Sequence, residues 1–539
     1  MKTIEEVKDW VNSIAKEYSG SQLKLSELLC DRFSHEPKRI ALYYEDLSGK
    51  KSKYTYAELK EMSEKFATVL FNIGIKKGDK VATLLPKVPE LFIAVLAIWR
   101  IGAVHLPLFT AFGPQAISYR LEASEAKLII TSPEKRSAVE EATTKMDNVV
   151  VTSATEKSHS DVSFWDALNS AEPIVKSSML TGDDPFILIF TSGTTGQPKG
   201  VEVPVKALAS FETYMRLALD VQEEDAYWNM ADPGWGYGLW YGIVGTLLIG
   251  KENIFFNAPF SAESALRILK DYQVTNFTGA PTAFRALRNA GIPQDIKKNL
   301  HLRVLSTAGE TLGFELVKWS RKELGVPIRD NYGQTEGAMM VCNHAFRLLD
   351  NELRPNSMGV PMPGFRMVVL DETHQELPPS EEGVMAVDTH SSPLFWFQGY
   401  FKELERTKEK FSKDKRYYIT GDVVTRDKDN FFYFSSRADD IILTAGYRVG
   451  PSEIEDVLIQ HDAVFDAVVV GKSDPLRGEI VKAFVEINPK YYPSDELSKE
   501  LSEFVKKNYS AHAYPREVEF IESIPKTPSG KKQRFLLKQ

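Results

Sequence analysis

A chain of 539 residues is too long for one ordinary core and is expected to divide into at least two domains. Hydrophobic residues at 43% and charged residues at 26% describe a soluble globular protein. A net charge of −8 and a pI near 5.8 argue against general nucleic-acid binding, so an anionic ligand must meet positive charge gathered locally. From the N-terminus, Met1 to Tyr18 reads as an amphipathic helix, with Thr3 and Glu6 as a capping box and Ile4, Val7, Val11 and Ile14 on one face. Glu5, Glu6 and Asp9 interrupt it where a signal peptide needs an apolar core. Cys30 and Cys342 are far apart and in no metal-ligand spacing, which fits a reducing cytoplasm.

Lys80 to Leu85 reads as a strand and Pro89 to Ile101 as a helix. Lys127 to Thr131 and Glu134 to Thr144 repeat the pair. Such alternation predicts α/β layers with largely parallel sheets. The most apolar run, Leu91 to Trp99, ends at Arg100 and is too short to span a bilayer. Ser153 to Ser160 is polar and reads as a surface loop. The apolar run Phe186 to Phe190 then feeds Thr191-Ser192-Gly193-Thr194-Thr195-Gly196-Gln197-Pro198-Lys199-Gly200, and a helix is expected from Val205 to Leu219. Three glycines and four hydroxyl side chains in those ten residues let a backbone bend around phosphate oxygens and donate to them, with Lys199 adding a mobile charge. The P-loop pattern fails, because Pro198 stands where Gly-Lys-Ser/Thr would be needed.

The composition shifts after residue 400. Lys402 to Lys415 is heavily charged, and Asn430 to Ser436 is a short aromatic strand. Ser452 is expected to open a helix with Glu455 completing a capping box. Strands follow around Ala467–Val470 and Val481–Ile487, then a second helix from Asp495 to Lys507. This predicts a large N-terminal domain of layered α/β sheets, residues 1–436. A small mobile α+β domain, residues 437–539, would follow, with the active site between the two.

The ten-residue string resembles the signature loop of the AMP-forming adenylating enzymes, the superfamily of acyl-CoA synthetases, peptide-synthetase adenylation domains and luciferases. Further segments resemble that family's motifs, in order, along almost the whole chain. Gly309-Glu310-Thr311-Leu312 is similar to the segment beside the adenine, with Thr311 in place of proline. Asp330-Asn331-Tyr332-Gly333-Gln334-Thr335-Glu336 is similar to the adenine- and metal-contacting motif. There Tyr332 offers a face for purine stacking, Thr335 a hydroxyl for phosphate and Glu336 a hard oxygen for Mg²⁺. Tyr418-Ile419-Thr420-Gly421-Asp422 resembles the ribose motif and Ser436-Arg437-Ala438-Asp439-Asp440 the hinge motif, with Asp439 as pivot. Ala445-Gly446-Tyr447-Arg448 resembles the strip lining the pantetheine tunnel, and Pro525 to Lys531 the catalytic-lysine motif. Lys532, where many relatives carry an apolar residue, is a departure that blurs which lysine acts.

The resemblance implies Lys531, Glu336 and Thr194 as catalytic residues. It assigns ATP or AMP to Thr191, Ser192, Gly193, Thr194, Thr195, Gly196, Lys199, Gly309, Glu310, Thr311 and residues 330–335, with Asp422, Arg437, Arg448 and Lys531. It assigns CoA to Ala445, Gly446 and Tyr447, and the acyl pocket to Trp235, Gly236, Tyr237, Ala308 and Gly333. Acetate-specific relatives carry Trp at the Gly333 position, so glycine is expected to leave room for a short-to-medium or branched acid, unless Tyr237, Trp240 and Tyr241 refill the space. The implied reaction consumes a carboxylic acid, ATP with Mg²⁺, and CoA. Alternatives are a ligase for acetate, propionate or an aromatic acid, an enzyme that loads a carrier protein, or an AMP sensor without chemistry. A homodimer and reversible acetylation of Lys531 by a lysine acetyltransferase and deacetylase are left open.

Overall fold

Helix Pro89–Arg100 is apolar on nearly every side, and eleven of its twelve residues are buried, Glu90 being the exception. A helix without a polar face must lie between layers, and this one packs in the largest hydrophobic cluster of the molecule, between helix Tyr56–Ile73 and the sheets. Its last residue, Arg100, is 2% exposed and is held inside the protein by a two-pronged pair with Asp31, at 2.7 and 2.9 Å. The computed structural model describes residues 1–142, 149–151, 161–191, 198–310, 312–437, 440, 442–444, 447–474, 477–509, 514–526 and 532–538.

Among the described residues the strands form four sheets. One is parallel from Val162–Ser163 through Lys80–Leu84 and Val104–Pro107 to Pro185–Thr191, and closes on the antiparallel Lys199–Pro204. A larger sheet changes character halfway. Tyr227–Asn229, Asn276–Thr278, Val304–Ala308 and Ile328–Gln334 run parallel. From Ala338–Cys342 onward it is antiparallel, through Ser357–Pro361, Phe432–Arg437, Tyr417–Arg426, Glu382–Asp388 and Met367–Leu370. Helices cover the parallel strands, as such crossovers require. A small sheet pairs Leu42–Glu45 with Asn253–Phe256. The fourth sheet belongs to a separate small domain, built from Ile442–Thr444, Tyr447–Val449, Val464–Asp474, Gly478–Ile487 and Glu517–Ile521 with helices Pro451–Leu458 and Asp495–Asn508. It has its own core around Ile454, Leu458, Val469, Val485 and Leu501. The expected α/β architecture, a large N-terminal domain and a small C-terminal one, is present.

Several local expectations need correction. Thr3 caps helix Ile4–Tyr18 by accepting from Glu6 N, but the Glu6 carboxylate takes Lys2 N and not the cap's own amide. The buried face of that helix begins at Val7, and Ile4 is exposed. Ser452 does not open its helix. Gly450 is the cap, and the Glu455 carboxylate accepts from Val469 N at 2.8 Å and pairs with Arg534. A Ser-x-x-Glu spacing is a local signal, and a buried long-range partner outweighs it. The stretch after Pro204 is helical but changes pitch, from a 3₁₀ turn at Val205–Ala207 through Leu208–Thr213 to a π turn at Tyr214–Ala218. The polar loop at Ser153 to Ser160 lies outside the described residues. No helix among the described residues is long and apolar enough to cross a membrane.

Candidate functional site

Strand Ile328–Gln334 is the last parallel strand of the large sheet, and its C-terminal end faces strand Tyr417–Arg426. Three strands lie between them in the sheet order. Laid flat, that separation would be about 19 Å. Yet Asp422 Oδ2 accepts from Tyr332 Oη and, at 2.7 Å, from Gln334 Nε2, while Gln334 also donates to Thr420 O at 3.1 Å. The sheet therefore curls strongly here. Register breaks at Tyr332/Gly333 and at Val423/Val424 aim the two segments inward. Asp422 is 3% exposed, and Arg437, at the end of the adjacent strand, pairs with its Oδ1 at 3.2 Å. Burial pushes the Tyr332 phenol well above its usual range, and Asp422 adds to the shift, so Tyr332 remains a donor.

The second cluster forms around Glu336, at the tip beyond that strand. Tyr400 Oη donates to Glu336 Oε1 at 2.7 Å, and the Lys199 ammonium lies 4.8 Å from the centre of the Tyr400 ring. The backbone fixes this meeting: Val201 pairs with Tyr400, and Phe401 N donates to Gly200 O at 2.8 Å. Thr191 and Lys199 face each other where the strands flanking the hydroxyl loop begin to pair. Lys410 completes the group, with its Nζ 3.4 Å from Thr420 O. Burial lowers its pKa, Glu336 and Asp422 oppose that, and Arg437 and Lys199 add to it. The local positive charge demanded by an acidic chain is thus Lys199, Lys410 and Arg437.

Tyr400 and Lys410 escaped the sequence reading. Lys410 sits in a charged stretch that reads as a solvated face, and nothing in its spacing distinguishes it from its neighbours. Ser192, Gly193, Thr194, Thr195, Gly196, Thr311, Ala438, Asp439, Ala445, Gly446 and Lys531 lie outside the described residues, as do the side chains of Tyr447 and Arg448. Glu310, expected beside adenine, is held by Arg285 at 2.6 Å. Gly309 takes φ +95°, a setting that favours glycine. Asp330 is pushed well above the usual carboxylate range by burial.

Two expected roles change. The Asn331 side chain, 2% exposed, turns to the opposite face of its strand, where it donates to Tyr214 Oη at 3.0 Å and accepts from Asn343 N at 3.1 Å. It anchors the strand and does not reach toward the Asp422 side. Gly333 does not leave open space. A Cβ built there would lie 2.1 Å from the Ala338 carbonyl oxygen, because the register break folds the hairpin backbone over it.

The pocket segment is aromatic. Trp235 packs on Phe109 and Phe112, with ring centres 5.5 and 5.6 Å away. Tyr237 shares a 2.8 Å hydrogen bond with Tyr214, and Ala308 ends its strand nearby in the core. The Trp240 ring lies against Gly236, about 3.0 Å from where a Cβ would be, stacks on Phe211 and meets Trp396 edge-on. Trp240, within a π turn, fills the space beside Gly236.

Glu336 is 9% exposed and offers hard oxygen atoms. Among the described residues no group of three or more His, Cys, Asp or Glu could hold a metal ion. A divalent cation held by one carboxylate, with phosphate oxygens and water completing its shell, is the usual Mg²⁺ arrangement, and the residues fit it.

The model of the AMP-binding enzyme family matches residues 31–401, and that of the AMP-binding enzyme C-terminal domain matches residues 453–531. The chain is 37% identical over 510 residues to acetyl-coenzyme A synthetase of Bacillus subtilis (strain 168), covering 94% of this chain and 88% of that one. It is 35% identical over 511 residues to the mitochondrial acyl-coenzyme A synthetase ACSM3 of Rattus norvegicus, covering 93% and 86%. The crystal structure of a Brucella canis acyl-CoA synthetase superposes with a TM-score of 0.77 at 43% identity, covering 96% and 94%.

Proposed function

The chain belongs to the AMP-binding enzyme family, and from that premise we propose that it joins a short-to-medium-chain or branched fatty acid to CoA. It is an AMP-forming acyl-CoA synthetase, a carboxylate–CoA ligase that takes ATP, a carboxylic acid and CoA as substrates. In the first half-reaction a carboxylate oxygen attacks the α-phosphorus of ATP, and the bond to pyrophosphate breaks. In the second, the CoA thiol attacks the acyl carbon, loses its proton, and AMP leaves. The observation that carries the site reading is the clasp at Asp422. A buried carboxylate with Arg437 beside it, positioned by Tyr332 and Gln334, is suited to accept both ribose hydroxyls.

Two anions must meet in the first step, so positioning and neutralisation are what the chain supplies. Lys199, Lys410 and Arg437 bring positive charge to the phosphate side, and Lys531 would bridge carboxylate and α-phosphate. Glu336 would hold Mg²⁺, which neutralises phosphate charge when bound with ATP. We read residues 437–539 as the mobile unit, rotating about Asp439 to exchange Lys531 for the Gly446 strip between steps. The buried free thiols of Cys30 and Cys342 support a reducing compartment, the cytoplasm.

The covered Gly333 and the Trp240 ring against Gly236 favour a second reading, in which the pocket is shallow and the acid is acetate or propionate. A panel of acids with CoA, scored for AMP release, separates the two. Acid-dependent ATP–pyrophosphate exchange without CoA tests the first step alone. No exchange with any acid would remove the two-step reading.

A further inference from the structure

The small domain holds a knot of charge apart from the residues assigned to ATP, the acid and CoA. Asp466, on strand Val464–Asp474, is 1% exposed. Its Oδ2 meets Lys526 Nζ at 2.6 Å and its Oδ1 meets Lys532 Nζ at 2.9 Å. These two lysines stand immediately before and immediately after residues 527–531, the segment that ends in Lys531. Their backbones pair as an antiparallel bridge, and Gln533 N donates to Pro525 O at 2.9 Å.

Lys532 is more than a neighbour of Asp466. It donates to Ala467 O at 2.6 Å and lies 3.3 Å from Glu455 Oε2. Glu455 in turn takes Arg534 on both oxygens at 2.8 Å. Burial alone would raise the Asp466 carboxyl, but Lys532, Arg285 and Lys526 outweigh it and hold it below the usual carboxylate range. Burial would lower Lys532, and Glu455 with Asp466 reverse that. Both partners stay charged, and Lys532 is spent within the small domain. It is therefore not an alternative catalytic lysine.

We propose that Asp466 is a positioning residue for adenylate formation: by holding Lys526 and Lys532 on its two oxygens, it fixes both ends of the segment carrying Lys531 and so sets where that lysine can reach. The proposal rests on reading Lys531 as the lysine of the first half-reaction. A long lysine side chain loses rotamer freedom when it is held against a reacting group, so fixing the residues on either side of it lowers the cost of positioning it for adenylation. Short, charge-assisted bonds are directional enough to supply one.

The test uses the full chain and both half-reactions. Asp466→Asn keeps the shape and removes the charge. ATP–pyrophosphate exchange should fall by roughly ten- to a hundred-fold, while conversion of a supplied acyl-adenylate and CoA to thioester stays within about two-fold of wild type. Lys532→Met, which leaves the Lys526 contact in place, should give a smaller loss of the same kind, and Asp466→Glu should recover part of the exchange. Equal losses in both half-reactions would mean that the cluster merely holds the domain together, and would overturn the proposal. Wild-type exchange in both Asp466→Asn and Lys532→Met would overturn it too. Lys531→Ala is measured alongside. If it loses exchange while the Asp466 and Lys532 variants do not, only the clamp falls. If it retains exchange, the assignment of Lys531 falls and takes the clamp with it. Should Asp466→Asn fail to fold, Lys532→Met and Lys526→Met give the same split.

Discussion

The Asp422 clasp in the large domain and the Asp466 knot in the small one are both buried carboxylates ringed by donors, but they differ in what is left over. Around Asp422 the neighbours include two neutral donors, Tyr332 and Gln334, and an Arg437 whose own side chain is partly exposed. Around Asp466 two lysines use both oxygens, and Glu455 and Arg534 close the next layer. Buried charge saturated by its own partners stiffens a domain, whereas charge held by neutral donors keeps acceptor capacity for a ligand.

The largest effect should come from breaking the saturated side. Glu455→Gln leaves Arg534 and Lys532 without their shared countercharge, and removing one partner of a buried pair costs about 3–5 kcal/mol. Urea unfolding of the variant should show the small domain melting ahead of the large one. A single unshifted transition would mean that the knot adds nothing.

Asp422→Ala breaks the other side. If Asp422 is the ribose acceptor proposed above, kcat/KM for ATP should fall by roughly two to three orders of magnitude. A change in KM for the acid alone, with ATP kinetics intact, would place the clasp elsewhere in the reaction.

A smaller effect separates the two glycines of the acyl side. Gly333→Ala puts a methyl group onto the Ala338 carbonyl, which should lower stability by about 1–3 kcal/mol without changing the preferred acid. Trp240→Leu opens the space beside Gly236 and should favour longer acids, by about 0.8 kcal/mol for each methylene newly buried. Comparing acetate, butyrate and octanoate in both variants decides which position sets chain length. A switch at Gly333 and none at Trp240 would reverse the assignment.

A further effect is pH-dependent. Burial, and Glu455 beside it, raise Asp456 to about 7. The folded protein keeps that proton where the unfolded chain, with a pKa near 3.9, has lost it. Stability should therefore decline as pH rises from about 4 to about 7, then level off. Asp466, held low, acts in the opposite sense and withdraws its contribution only as pH falls below the unfolded value. Asp456→Asn should flatten the decline measured by thermal melting across that range. An unchanged slope would show that Asp456 ionises freely.

Much of the site was legible because it is carried by contiguous strings. The run from Asp330 to Glu336 and the Asp422 segment could be read as nucleotide chemistry, and Tyr332, Gln334, Asp422 and Arg437 do meet in space. Lys199 was legible too, as the charge beside a glycine-hydroxyl loop. The errors have a common form. Glu455 matched a capping pattern four residues long, but its partner is Arg534, seventy-nine positions away. Gly333 was read as missing volume, yet whether missing volume is empty depends on the backbone of Ala338. Lys410 looked like one more surface lysine until the chain turned back on itself, pairing Phe411 with Tyr418 and setting Lys410 beside Thr420.

By itself the sequence determined the things that depend on neighbours along the chain. These are the helix Pro89–Arg100, the strand before the hydroxyl loop, and the shift in composition after residue 400. Tertiary structure alone decided which of those atoms face one another. Tyr332 reaches Asp422 across three intervening strands because the sheet curls, and Lys526 and Lys532 share Asp466 because the tail returns to a strand sixty residues earlier. The physical reason is one of range. Periodicity and turn chemistry act over a few residues, whereas a buried charge is satisfied by whatever the closed chain brings within about 3 Å of it.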